Sequence, residues 1–433
     1  MRHNELIVYK DTKSSDWELF YKMAGLMDGS GKKDKEKKAG KQKAFYECIH
    51  SLLEIAGNHG FYGNLWHCYL ALLLVNNENT YSKATENRGN IEGTINDAVL
   101  HDMEIFKEFF DYDFADMVDR LDIKGFDIIE NYVSSDSESK VYNARIRQRI
   151  CDLALRFNNN ETPADMKNTL TEFYKDYGVG KFGLHKAFRV EHDEEGTHIV
   201  PILNITHVKL DDLVGYEIPK KKLTDNTDAF VSGRKANNCL LYGDAGTGKS
   251  SSIKAIANEY YEKGIRIIEI YKHQFEYLND VISEIKNRNY KFIIYMDDLS
   301  FEDFEVEYKY LKAVIEGGLE KKPANVLIYA TSNRRHLVRE RFSDKEDRDD
   351  DLHTNDTVQE KLSLAGRFGV TIYFGAPEKK EFQNIVRVLA QRNGITMDEE
   401  ELLGAANAWE LSHGGLNGRC AQQFIDYLLG KEE

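Results

Sequence analysis

The sequence predicts an α/β protein built on a parallel sheet, with a helical region before the sheet and a small helical domain after it. After residue 235, short apolar runs alternate with amphipathic helical stripes, which is typical of parallel strands covered on both faces. Before residue 200, the apolar periodicity is mainly that of helices. Beyond Pro377, only helical stripes remain.

Composition excludes several classes of protein. A chain of 433 residues is longer than one hydrophobic core usually organises, so two or three domains are expected. No run of about 18 apolar residues is present, so no membrane partner is expected, and the first residues lack the pattern of a signal peptide. The five cysteines are odd in number and scattered, which favours reduced thiols and a cytoplasmic location. A net charge of −15 disfavours broad attachment to nucleic acid.

Changes in pattern, together with the scarce prolines, place the domain boundaries. We predict a helical N-terminal region over residues 1–200, an α/β core over residues 201–376 and a helical lid over residues 377–433.

Within the N-terminal region, the stretch "NLWHCYLALLLV" is apolar almost all round, as a buried helix would be. A second helix is indicated by a stripe of Phe45, Cys48, Ile49 and Leu52. The lysine-rich run from Lys32 to Lys43 is interpreted as a solvated loop or helix face, and a contact with nucleic acid or a partner is the alternative.

The core contains a candidate nucleotide site in "LLYGDAGTGKSS". Residues 243–250, the phosphate loop, match G-x-x-x-x-G-K-[ST] between a predicted strand and a predicted helix. Glycines let successive N–H groups turn toward a phosphate, and the helix N-terminus adds partial positive charge. Lys249 is predicted to bridge the β- and γ-phosphates, and Ser250 to ligate magnesium. The predicted cofactor-binding residues here are Gly243, Asp244, Ala245, Gly246, Thr247, Gly248, Lys249, Ser250 and Ser251.

Two acids end the apolar run "KFIIYMDDLS". Asp297 is predicted to hold the magnesium shell, and Asp298 to polarise the attacking water. The alternative is a helix N-cap, where aspartate is favoured.

Three further polar residues are candidates for catalysis. Asn333, after the run "NVLIYATSN", is expected to orient water beside the γ-phosphate, with a turn-forming role as the alternative. Arg367 is a candidate arginine finger for a neighbouring subunit, or forms a structural ion pair with the acidic run "SDKEDRDDD". Arg419 opens the final helix, where it either contacts phosphate or is a surface arginine.

Together these segments resemble the AAA+ ATPases, with "LDDLVGYEIPKKKL" as box II, followed by Walker A, Walker B, sensor 1, arginine finger and sensor 2. The resemblance implies a P-loop fold in which the sensor-1 strand lies between the P-loop and Walker B strands. It implies ATP and Mg²⁺ as cofactors, and Val214 and Gly215 as further cofactor-binding residues. It also implies a homo-oligomer, because an arginine finger acts on a nucleotide held between subunits.

More narrowly, "NNCLLYGDAGTGKSSSIKA", "DDLSFE", "LKAVIEGGLE" and "YATSNRRHL" look like the DUF815 family of uncharacterised bacterial AAA+ proteins. The likeness is strong from about Leu210 to Leu428, and "GFYGNLWHCYLALLLVNNENTYS" extends it toward the N-terminus. The family pattern places an acid directly before the arginine, whereas Ala365 and Gly366 precede Arg367 here.

These observations leave three functional hypotheses. The first is an oligomeric ATPase that remodels or loads a macromolecular client, with a protein client favoured over DNA. The second is a slow nucleotide-dependent binding switch. The third is a DNA-associated protein similar to a helicase loader. A fold and an ATPase site do not identify what is moved.

Overall fold

The computed structural model describes residues 1–11, 14–28, 35–134, 141–142, 144–203, 205–302, 305–316, 323–335, 337 and 364–431. The chain forms two compact units, Met1–His185 and Lys186–Glu433. The predicted boundary at residue 200 is corrected to residue 185, because a hairpin over residues 187–201 belongs to the sheet of the second unit.

The first unit is helical. α3 is buried over nearly its whole length, as its apolar sequence predicts, and the predicted stripe that begins at Phe45 is buried on α2. α2 begins at Lys35, so the start of the lysine-rich run lies outside the described residues. The helices are α1 (Glu18–Met27), α2 (Lys35–His59), α3 (Leu65–Asn76), α4 (Thr80–Arg88), α5 (Ile95–Phe110), α6 (Ala115–Leu121), α7 (Asp127–Glu130), α8 (Ala144–Asn159), α9 (Pro163–Tyr177) and α10 (Gly180–Leu184).

A seven-stranded sheet organises the second unit, in the order β2-β1-β4-β5-β6-β3-β7. β1 and β2 pair antiparallel, and the other neighbours pair parallel. β6 lies between β3 and β5, which confirms the strand order expected for an AAA+ core. The strands are β1 (Ala187–Asp193), β2 (Gly196–Pro201), β3 (Cys239–Gly243), β4 (Ile265–Glu269), β5 (Lys291–Met296), β6 (Val326–Ser332) and β7 (Val370–Phe374).

The five strands from β3 to β7 coincide with the apolar runs in the sequence. β6 is buried at every position, because a parallel strand with both faces covered reads as a continuous apolar run. The helices around this sheet are α11 (Glu217–Val231), α12 (Lys249–Glu259), α13 (Leu278–Ile285) and α14 (Glu307–Glu316).

Three C-terminal helices follow β7 and pack around a hydrophobic cluster of their own. They are α15 (Lys379–Arg392), α16 (Glu399–Ser412) and α17 (Gly418–Leu429). Phe382 and Phe424 are among the buried side chains of this cluster. Throughout the part of the chain that is described, no helix combines the length and the apolar character needed to cross a bilayer.

Candidate nucleotide-binding site

The candidate site lies where β3, β5 and β6 end at the same edge of the sheet. Tyr242 pairs with Ser332 across β3 and β6, and Met296 pairs with Ala330 across β5 and β6. Because parallel strands present their carboxyl ends together, the residues that follow them converge at this edge. The phosphate loop follows β3, and the acids Asp297 and Asp298 follow β5.

The phosphate loop needs glycine at two close approaches. Gly243 has φ +135°, and a Cβ added there would lie 2.1 Å from the Phe374 carbonyl oxygen. Gly246 has φ +75°, and its added Cβ would lie 2.7 Å from Asn417 Oδ1. Only a residue without a side chain suits such positions. The loop is therefore seated between β7 on one side and the start of α17 on the other.

Lys249 is the first residue of α12, and its ammonium group turns back into the loop. Nζ donates to the carbonyl oxygens of Gly243, at 2.9 Å, and Asp244, at 2.6 Å, and to Asn333 Oδ1, at 3.0 Å. Burial is the largest influence on this group and lowers the pKa of Lys249. A cation held by loop carbonyls at a helix N-terminus fits phosphate oxygens as replacement acceptors.

Ser250 and Asp297 join the phosphate loop to the end of β5. The Ser250 hydroxyl donates to Asp297 Oδ1 at 2.7 Å, and Thr331 Oγ1 donates to the same oxygen at 2.6 Å. Burial would raise the pKa of Asp297, but the nearby hydroxyls of Thr331, Ser250 and Tyr295, together with the charge of Lys254, outweigh it, so this pKa is lowered. A hydroxyl beside an ionised carboxylate is the hard oxygen donor set that Mg²⁺ prefers.

Thr331 is a functional candidate that the motif did not single out. Besides bonding Asp297, its Oγ1 accepts from the Asp298 backbone N–H at 2.9 Å. The sequence signal was present, because Thr331 lies near the end of β6, two residues before the predicted site residue Asn333.

Asp298 adopts the left-handed backbone conformation, with φ +49°. Its carboxylate oxygen Oδ1 accepts a hydrogen bond from Asn333 Nδ2 at 2.8 Å. No helix begins between residues 297 and 302, so the alternative of a helix N-cap at the two acids is wrong.

Asn333 stands between the lysine and the second acid. Its Oδ1 accepts from Lys249, and its Nδ2 donates to Asp298. Ser250 and Asp297 are hydrogen-bonded to each other beside this link, so the structure brings together five of the side chains that were predicted from the sequence.

Arg419 lies at the start of α17, against the phosphate loop. Its backbone N–H donates to the Gly246 carbonyl oxygen at 3.2 Å, and its exposed side chain contributes to lowering the pKa of Lys249. Asn417 caps α17 by accepting from the Cys420 N–H at 2.8 Å. α17 therefore begins directly beside the loop.

Val214 and Gly215 lie in the segment before α11. Val214 packs against the hydrophobic cluster of the C-terminal helices, whereas the neighbouring Leu213 packs against the core of the sheet. Gly215 has φ +81°. Lys220 holds the segment, because its Nζ donates to the Leu213 carbonyl oxygen at 2.8 Å. These residues thus lie at the junction between the sheet and the C-terminal helices.

Arg367 and the phosphate loop lie at opposite ends of β7. Arg367 precedes the amino end of β7, whereas Gly243 pairs with Phe374 at the carboxyl end of that strand. Five strand residues span about 17 Å. The Arg367 guanidinium forms an ion pair with Glu316 at the end of α14. The acidic run that was considered as its partner lies outside the described residues.

Among solved structures, the chain is similar to point mutants of RuvB from Thermotoga maritima. The match to one mutant covers 51% of this chain and 65% of the mutant's own length, which is slightly under two thirds. Its sequence identity is 16% and its TM-score is 0.35. Another covers 51% of this chain and 72% of its own, with 14% identity and a TM-score of 0.32. No curated protein sequence matches the chain.

The family described as "Protein of unknown function (DUF815)" matches residues 183–432. This match takes in the sheet from β1 onward, the phosphate loop, both acids and the C-terminal helices. The chain belongs to the DUF815 family.

Proposed function

We propose that this chain is an AAA+ ATPase that binds ATP with Mg²⁺ at the phosphate loop and hydrolyses it. One observation carries the proposal: the Ser250 hydroxyl of the loop is hydrogen-bonded to Asp297 at the end of β5. This contact joins a phosphate-binding loop to an acid with a lowered pKa, the pairing that a magnesium nucleotide requires.

In binding, Lys249 exchanges its carbonyl acceptors for phosphate oxygens, and the loop N–H groups point at the same phosphates. Ser250 and Asp297 hold the cation, which neutralises charge on the phosphates when it is bound. Val214 and Gly215 are proposed to contact the nucleotide from the junction between the sheet and the lid. Arg419 is proposed to reach a phosphate from the start of α17.

In hydrolysis, Asp298 is the group that accepts the proton of the attacking water. Asn333 Nδ2 donates a hydrogen bond to Asp298 Oδ1, whereas no residue of the described ranges donates to Asp298 Oδ2. This oxygen is therefore the available base, and the amide of Asn333 fixes its direction.

A neighbouring subunit is proposed to complete the site. The position of Arg367 at the amino end of β7 argues against action on the phosphate loop of its own chain. An assembly in which this end of one subunit meets the carboxyl edge of the next would supply the arginine from a neighbour. Glu316 orients the guanidinium, and so takes the place of the acid that the family pattern has beside the arginine.

The client of the ATPase is proposed to be a macromolecule, and a protein in preference to DNA. The net charge of −15 supports a protein client, because nucleic acid binding depends largely on positive charge. The helical first unit is the proposed recruiting element. The five cysteines are all buried and unpaired, which supports a cytoplasmic location.

A slow nucleotide-dependent switch is the second candidate, and one observation favours it. Asp298 is shorter by one methylene than the glutamate usual in such sites, and Asn333 already holds its carboxylate. A protein whose catalytic base has a shorter reach would bind nucleotide normally but hydrolyse it slowly. The turnover number of the wild-type protein at saturating ATP separates the two candidates.

ATPase activity of the full chain tests the proposal. Wild-type protein is expected to release phosphate in the presence of Mg²⁺, whereas Lys249→Ala and Asp298→Asn are expected to be inactive or strongly impaired. A protein that binds no ATP by calorimetry contradicts the proposal. Repeating the assay with added DNA tests the proposed client, since stimulation by DNA would favour the loader hypothesis.

A further inference from the structure

Tyr295 lies on β5, two residues before Asp297. Side chains alternate along a strand, so residues two apart lie on the same face of the sheet. The Tyr295 side chain is buried, with 3% of the residue exposed. Its hydroxyl is close enough to Asp297 and Ser250 for both to influence its pKa, which burial raises.

The Tyr295 hydroxyl nevertheless has no hydrogen-bond partner at normal distance within the described residues. Buried polar groups are nearly always paired, so an unpaired one at a site requires an explanation. The Asp297 carboxylate provides an explanation. Ser250 and Thr331 both donate to Asp297 Oδ1, whereas no described residue donates to Asp297 Oδ2. A donor and an acceptor thus lie near each other without a bond between them.

We propose that Tyr295 is a positioning residue of the cation site, whose hydroxyl donates to the Asp297 carboxylate when a divalent cation with nucleotide is bound. The proposal rests on the proposed nucleotide function. With Ser250 and Thr331, Tyr295 would be a third hydroxyl that fixes the orientation of one carboxylate. Such outer partners of a metal ligand typically alter metal affinity by about 10- to 100-fold.

Tyr295→Phe removes only the hydroxyl and keeps the ring in its place. Tyr329→Phe is a matched control, since Tyr329 pairs with Tyr295 across β5 and β6 and is also buried. The Tyr329 hydroxyl bonds Thr227 and Asn226 of α11, and neither belongs to the proposed cation site. Both variants lose a buried hydroxyl, but only one loses it beside Asp297.

The measurement is calorimetric binding of a non-hydrolysable ATP analogue under two conditions. In the first, Mg²⁺ is titrated from zero; in the second, a chelator replaces Mg²⁺. For Tyr295→Phe, the Mg²⁺ concentration needed for half-maximal binding should rise by about tenfold. Affinity in chelator should stay at the wild-type value, because the phosphate loop is unchanged. Tyr329→Phe should match the wild type in both conditions, whatever its thermal stability.

A wild-type Mg²⁺ requirement in Tyr295→Phe overturns the proposal. An equal loss of affinity with and without Mg²⁺ also overturns it, because that pattern indicates general damage to the loop. Should Tyr295→Phe fail to fold, Tyr295→Met provides a second hydroxyl-free side chain with the same expected results. Wild-type protein that binds no analogue in either condition would instead refute the proposed function.

Discussion

Asn333 donates a hydrogen bond from its Nδ2 to the Asp298 carboxylate, at 2.8 Å. The same amide accepts from Lys249 through Oδ1. The lysine expected to bind phosphate and the acid expected to activate water are therefore linked through one side chain. We therefore expect that a substitution at the Asp298 end of this link impairs hydrolysis and leaves ATP binding intact.

Asp298→Asn should leave ATP binding intact and lower turnover by about 10²-fold or more, the scale of general-base catalysis. Asparagine tolerates the left-handed conformation that Asp298 adopts, so the change removes charge at little backbone cost. Calorimetry for binding and single-turnover hydrolysis are the measurements. Wild-type turnover would contradict the assignment, and Glu302 would be the next acid to test.

Lys249→Ala should abolish ATP binding, because a charge and its hydrogen bonds to phosphate are lost together. Lys263→Ala is the control, since this lysine pairs with Asp228 at the surface. Calorimetry should find no measurable binding for the first variant and wild-type affinity for the second. Unchanged affinity in Lys249→Ala would refute the role of the loop.

Thr331→Val should move acid unfolding to higher pH. A carboxyl whose pKa is lowered on folding contributes stability that is present above its unfolded value, about 3.9 for aspartate, and lost as pH falls through the folded value. The Thr331 hydroxyl helps to lower the pKa of Asp297. Removing this hydroxyl therefore raises the pKa of Asp297, and the loss of folding stability begins at a higher pH. Circular dichroism during acid titration is the measurement.

The matched control for this titration is Ser332→Ala. Ser332 is the next residue of β6, and its buried hydroxyl bonds the Leu299 carbonyl oxygen, not Asp297. It should change stability about equally at neutral and acid pH. If the two variants show the same pH dependence, the coupling of Thr331 to Asp297 is wrong.

Five strands and the phosphate loop were predictable, because buried apolar runs and the spacing of glycines and lysine are local patterns. The hairpin of β1 and β2 was missed. Its outer positions carry charged residues, and its turn contains two glutamates before Gly196, so it lacks the apolar run of the central strands. The alternation of Phe188 and Val190 with Arg189 and Glu191 was the signal that could have identified it.

Contacts between distant segments could not be predicted in the same way. Thr331 meets Asp297 because β5 and β6 are neighbours, and strand order is a property of the whole fold. Arg367 forms an ion pair with Glu316, on a helix 51 residues earlier in the sequence, and the acidic run proposed as an alternative partner lies outside the described residues. Local spacing carries no information about such pairs.

Arg367→Ala should lower turnover and leave ATP affinity largely intact. An arginine finger contributes about 10³ to 10⁵ in rate, so the loss should be plain in steady-state kinetics. Arg189→Ala is the control, since Arg189 pairs with Glu191 on the surface of β1. Loss of affinity equal to the loss of turnover would contradict a role confined to hydrolysis.

The most direct test of a site shared between subunits is to mix Arg367→Ala protein with Lys249→Ala protein. Each variant retains what the other lacks, so mixed assemblies contain junctions with an intact loop facing an intact arginine. The account predicts that ATPase activity per subunit rises with wild-type concentration, and that it partly returns on mixing the two inactive variants. Mixtures that remain as inactive as either parent, in assemblies shown to contain both, would contradict it.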